Sequence, residues 1–292
     1  MDDELRMKLA DLGSPEALAA CIIGHFQDID IPLPLEPIAN AVGIFEIIGQ
    51  RTDSFEGILV TDSAKSTGSI AYNEASSLKR RRFTIAHELG HYLMPLHGAN
   101  AQCVKNDMGV FVTKDASLRR EAEANRFAAA LLMPRGLFLA ASRRLGDPEV
   151  THIVTLADEY GVSKEAAVRR YAELCDDPCA VIFSRHGVTG HIYKTANLPF
   201  IGLRYGQPLP RQCASMQPTH AAGRISECIE TEPGLWFEDT RRFRSASVYE
   251  QFLDQADGYR MTMLTVDGDI DEDEDINEQE EIETSWTPVF RR

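Results

Sequence analysis

The chain contains no apolar run approaching the ~20 residues a membrane helix needs. Its start, Met1-Asp2-Asp3-Glu4, also lacks the basic stretch and apolar segment of a secretory leader. A cytoplasmic protein is expected, with no membrane partner. Basic residues are few, 30 Lys and Arg against 45 Asp and Glu, for a formal charge of −15. No Lys or Arg falls between Asp267 and Glu283, where 11 of the acids lie; without that stretch and without Arg291 and Arg292 the balance is 34 to 28. A surface coated for nucleic acid is thereby excluded, and any DNA contact would need a local patch. Cysteine is sparse as well. Six thiols scattered over 292 residues do not make a secreted disulfide framework. Cys175 and Cys179, the only close pair, lack the second pair that a structural zinc would need.

The length exceeds what one hydrophobic core usually serves, so several packed units are expected. Ser14-Pro15 reads as the cap and first position of a helix running to 26. Ile44–Ile48, Gly57–Thr61 and Ser69–Asn73 read as strands of a small antiparallel sheet. Phe83, Ile85, Ala86, Leu89 and Leu93 recur at helical spacing, as do Leu118, Ala122, Phe127, Ala130 and Leu131 before the stop at Met133-Pro134. Between them, 98–114 shows little periodicity. The stretch 148–174 is helical again, and 180–264 shows strand patterns with glycine turns. The expected fold is α+β: a domain over 1–147, a helix-turn-helix-like segment over 148–177, a mostly β and regulatory domain over 178–265, and an acidic, disordered tail over 266–292.

His87-Glu88-Leu89-Gly90-His91 fits H-E-x-x-H, which random placement would produce roughly 0.02 times in a chain of this composition. On a helix, imidazoles four residues apart share a face and can bind one zinc. Glu88 would take a proton from a water whose pKa the metal lowers to about 7. That is the logic of a metal hydrolase.

A catalytic zinc needs a third protein ligand and an open position. Glu123 is one candidate, because it shares a helix face with the apolar Phe127 and Ala130, whereas Glu121 reads as a solvated neighbour. His97 is the rival, at the spacing H-E-x-x-H-x-x-G-x-x-H, but Met94 stands where that pattern turns on a glycine. The preference goes to Glu123. Tyr72, Tyr92 and His97 are all candidates to stabilise an oxyanion, and the sequence does not choose among them.

Phe83-Thr84-Ile85-Ala86-His87-Glu88-Leu89-Gly90-His91-Tyr92-Leu93, followed by Glu121-Ala122-Glu123-Ala124-Asn125-Arg126-Phe127 and Leu131-Leu132-Met133-Pro134, resembles the ImmA/IrrE metallopeptidase family. Ile70-Ala71-Tyr72-Asn73 and Lys79-Arg80-Arg81-Arg82 extend the likeness, which spans about 45 to 175. The resemblance implies one zinc held by His87, His91 and Glu123, with Glu88 as the base. It also implies cleavage of a helix-turn-helix repressor, relieving repression in a stress response or in mobile-element control.

Other segments carry less. Leu156-Ala157 through Gly161 and Ser163 to Arg170 has the form of a helix-turn-helix, which packs as readily as it binds DNA; direct DNA contact is the lesser reading. Lys79–Arg82 reads as a helix start with carboxylate partners, and Phe243, Tyr249, Phe252 and Tyr259 as core. Against the peptidase stand two alternatives, a DNA-binding regulator with a structural metal and a silent module that sequesters a repressor.

Overall fold

The computed structural model describes residues 2–26, 29–103, 118–218 and 221–271. The chain forms two compact units, one ending at Asp177 and the other starting at Pro178. No helix among the described residues is long and apolar enough to cross a membrane.

The first unit opens with helices α1 (Asp3–Ala10), α2 (Pro15–His25) and α3 (Leu35–Val42). Ser14 caps α2 by accepting from the Ala17 amide, and Gly43, at φ 111°, ends α3 in a conformation that suits a residue without Cβ. Strands β1 (Ile44–Gln50), β2 (Gly57–Thr61) and β3 (Gly68–Asn73) follow, and a fourth, β4 (Ala101–Cys103), completes a sheet ordered β1-β3-β2-β4. Strand β2 pairs antiparallel with both β3 and β4, but β1 runs parallel to β3. The antiparallel expectation therefore misses one pair. Residues 51–56 carry the chain past the slot that β3 later fills, which leaves β1 and β3 pointing the same way.

Helix α4 (Leu78–Leu93) carries the HEXXH residues and packs beside α5 (Arg119–Leu132). Four basic residues enter α4 without forming an open patch: Lys79 pairs with Asp158, Arg80 with Glu56, Arg81 bonds the Ser76 carbonyl and Arg82 the Leu33 carbonyl. Helices α6 (Arg135–Leu145), α7 (Val150–Glu159) and α8 (Lys164–Leu174) close the unit. The α7–α8 pair turns at Gly161, φ 62°, with Ser163 capping α8. Arg170, which might have reached out from α8, is buried and bonds the Met133 carbonyl at 3.0 Å.

Helices α1 and α6 and strand β4 were not legible in the apolar pattern. Asp2 does cap α1, with Leu5 and Leu9 on its buried face, but eight residues give the helical period too few repeats. Strand β4 has three residues, below the length at which alternation can be recognised.

The second unit is one antiparallel sheet of β5 (Cys179–Arg185), β6 (Val188–Lys194), β7 (Ile229–Thr231), β8 (Ser245–Asp254) and β9 (Tyr259–Asp269), ordered β6-β5-β9-β8-β7. Trp236, Phe237, Phe243, Val248 and Leu264 are buried at its core. Of the four aromatics read as core, Phe243 and Phe252 are buried and Tyr259 is exposed under the Arg185 guanidinium. Strand β9 reaches Asp269, inside the segment expected to be tail; 272–292 lie outside the described residues. The whole is α+β with a sheet-rich C-terminal part.

Candidate metal centre

The centre is built where α4 packs against α5. A Cβ on Gly90 would stand 3.1 Å from the Ala124 Cα and 3.1 Å from the Phe127 ring, so the helices meet backbone to backbone at that point. On a helix of 100° per residue, Ala124 and Phe127 form the contact stripe, and Glu121 and Glu123 flank it on opposite sides, about 160° apart. Each carboxylate meets a different histidine.

His87 Nε2 and His91 Nε2 lie 3.1 Å apart, and Glu121 Oε2 is 3.3 Å from each. These three atoms form a nearly equilateral triangle. A tetrahedral centre with bonds of about 2.0–2.1 Å has donor separations of about 3.3 Å, so the set has the dimensions for a single ion. Cys103, on β4, adds a sulfur 3.7 Å from His91 Nε2 and 3.9 Å from Glu121 Oε2. One donor atom from each of the four residues lies within 4.8 Å of all the others.

Glu123 lies on the far side of the stripe. Its Oε2 is 3.0 Å from His97 Nε2, and His97 Nδ1 is 2.9 Å from His91 Nδ1. The carboxylate expected to bind the metal therefore stands behind His91, and Glu121, read as solvated, faces both imidazoles. Facing the core and facing the histidines are different directions on α5, and only the packing distinguishes them. His97, the rival ligand, is likewise part of the support.

The protonation pattern follows from these contacts. Burial pushes the His97 imidazole down to about 4, against the upward pull of Glu123, so at neutral pH it is uncharged and has one N–H. A carboxylate only accepts, so that N–H is on Nε2 and donates to Glu123. Nδ1 of His97 then accepts from His91 Nδ1–H, and His91 Nε2 is left as a lone pair directed into the triangle. Burial also lowers the His87 pKa. Burial raises the Glu121 carboxyl, but the imidazoles beside it, His87 first, outweigh that and hold it well below the usual carboxylate range. Three electron-rich atoms this close share at most one proton, an arrangement that a cation would satisfy.

Glu88 is fully buried on α4. It projects over Gly57 of β2, where an added Cβ would collide with Glu88 Oε1 and stand 2.7 Å from Thr84 Cγ2. The oxyanion candidates separate. Tyr72 lies along the sheet against Gly49, Tyr92 is buried at the other end of the motif, and His97 is committed to His91.

The sequence reading did not name Cys103 and took Glu121 as solvated, whereas both belong to the group that could hold a metal ion. No local signal marks Cys103, because β4 is too short to read and the residue reaches the site only through its pairing with β2. No local signal marks Glu121 over Glu123 either, since its one-turn spacing from Asn125, which bonds His87, gains meaning only from the packing.

Residues 51–171 match a family model described as the IrrE N-terminal-like domain of a peptidase family. The curated proteins compared contain no match. Among solved structures, a Mycobacterium tuberculosis transcriptional regulator is similar, with a TM-score of 0.51 over 90% of this chain and 79% of that one, at 15% sequence identity. At that identity the likeness is one of fold.

Proposed function

We propose that this chain is a zinc-dependent metalloendopeptidase acting on a cytoplasmic helix-turn-helix repressor, a reading supported by the match of residues 51–171 to the IrrE N-terminal-like domain of a peptidase family. The observation that carries the proposal is the triangle of His87, His91 and Glu121, with the fully buried Glu88 next to His87 on the same helix. These three residues would hold a divalent cation, which would supply Lewis acidity toward a peptide carbonyl. Two imidazoles and a carboxylate suit zinc.

Glu88 Oε1 accepts a proton from the attacking water and returns it to the amide nitrogen of the leaving strand, as a base and then an acid. Gly57 gives Glu88 room over the sheet. His97 and Glu123 keep the His91 Nε2 lone pair pointing inward. The repressor as substrate rests on the family resemblance, and its cleavage would relieve repression.

A second reading is a transcriptional regulator that uses the ion structurally. The turn between α7 and α8 favours it, as does the description of the similar mycobacterial protein as a transcriptional regulator. One variant separates the readings. Glu88→Gln should keep about one metal per chain and slow cleavage of the helix-turn-helix protein encoded nearest its gene by roughly 10²–10⁴-fold. Wild-type protein that carries metal, cuts no such repressor and binds operator DNA equally well with and without this substitution would favour the regulator.

A further inference from the structure

We propose that Cys103 is a fourth protein ligand of this centre, a thiolate that closes it to water and holds the enzyme latent. The inference rests on reading the triangle as a metal site, and its experiment separates the two ideas.

The thiol is placed by backbone, not by chance contact. Cys103 is the register partner of Gly57 in the β2–β4 pair, and its carbonyl accepts from the Glu56 amide at 2.9 Å. Register partners of an antiparallel pair project to the same face of the sheet. On that face Gly57 has no side chain, Glu88 fills the place one would occupy, and Cys103 stands beside it. The thiol and the base thus reach the centre side by side from one pair of strands.

Two of the three distances fit a ligand, and the third, to His87, lies within 4.8 Å. For bonds of about 2.3 Å to sulfur and 2.0–2.1 Å to nitrogen, a tetrahedral ion separates the two by about 3.6 Å. Cys103 Sγ lies 3.7 Å from His91 Nε2 and 3.9 Å from Glu121 Oε2. A buried cysteine more often serves as a small apolar filler. Here its sulfur lies against an imidazole nitrogen and a carboxylate oxygen, which an apolar filler would not choose.

Coordination replaces the S–H bond by a sulfur–metal bond, and the proton goes to solvent. Two imidazoles, a carboxylate and a thiolate then form a closed set of four, the arrangement of a structural site, whereas catalysis needs an open position. Glu88 would sit beside a centre with no water to act on until the thiolate withdraws. Latency is the consequence.

The test uses full-length protein loaded with Co²⁺. The wild type should show thiolate-to-cobalt charge-transfer absorption in the near ultraviolet, and Cys103→Ala and Cys103→Ser should lose it while the other five cysteines remain. The serine variant preserves volume, so a folding failure of the alanine variant leaves the test intact. Azide, which enters an open position, should alter the visible bands of the variants and leave those of the wild type unchanged. Bound cobalt with identical wild-type and variant spectra would overturn the ligand assignment and leave the metal site standing. Charge transfer in a wild type whose visible bands azide alters as much as the variants' would overturn latency. Failure of every form to bind cobalt would overturn the metal reading itself, and this inference with it.

Discussion

Glu123 holds His97 at 3.0 Å, and through it decides which nitrogen of His91 carries the proton. Partners of this kind typically contribute 10–100-fold to metal affinity without touching the ion. Glu123→Ala should therefore weaken zinc binding by roughly that factor and still reach one zinc per chain at saturation. Glu121→Ala, which removes one corner of the triangle, should not saturate in the same range. Competition with a chromophoric chelator measures both. Equal losses would place Glu123 at the ion and overturn the relay.

Gly57 lies beneath the Glu88 carboxylate, and a methyl group there forces Glu88 aside. Misplacing a catalytic group by about 1 Å can cost on the order of 10²-fold in rate. In the Cys103→Ser background, whose centre is open, Gly57→Ala should slow repressor cleavage on that scale and retain its metal. Unchanged cleavage, measured beside metal content, would show that Glu88 does not work from this position.

At Gly90 two effects oppose. Alanine gains up to about 1 kcal/mol of helix propensity over glycine. Its Cβ, however, would stand 3.1 Å from the Ala124 Cα and 3.2 Å from the Ala124 carbonyl oxygen, backbone atoms that cannot swing away. Overpacking of this kind costs about 1–3 kcal/mol, so Gly90→Ala should destabilise the first unit by about 1 kcal/mol. A chemical denaturation midpoint that rises instead would mean that α5 yields freely.

Lys65 donates through Nζ to the His91 carbonyl at 2.8 Å and to the Met94 carbonyl at 3.0 Å, tying down the end of the helix that carries the motif. Hydrogen bonds to a charged group contribute about 1.5–3 kcal/mol. Lys65→Met keeps the stem and removes the charge. Faster amide hydrogen exchange over 91–97, with α2 unaffected, is the expected signature.

Burial pushes the Cys213 thiol up to about 12. An unfolded thiol ionises near 8.5, so above that pH the unfolded chain has lost a proton that the folded one keeps. Unfolding is then favoured as pH rises. Stability of the second unit should be level through neutral pH and fall from about pH 8.5 upward, and Cys213→Ala should flatten that fall. An equally steep decline in both proteins, followed by thermal melts between pH 7 and 10, would assign the effect to another group.

The sequence alone determined the helix that carries His87, Glu88 and His91, because the motif and its apolar flanks share one period and need no partner to be recognised. Strands β2 and β3 were legible for the same reason, as were the capped starts of α2 and α8. The choice between Glu121 and Glu123 was not. Both flank the stripe of α5 that meets Gly90, and which of them faces the imidazoles depends on how one helix is rotated against the other. Cys103 was beyond reach for a related reason. Its place at the centre follows from the register of three residues against β2, a relation between distant parts of the chain that no local pattern records and that only the packed structure decides.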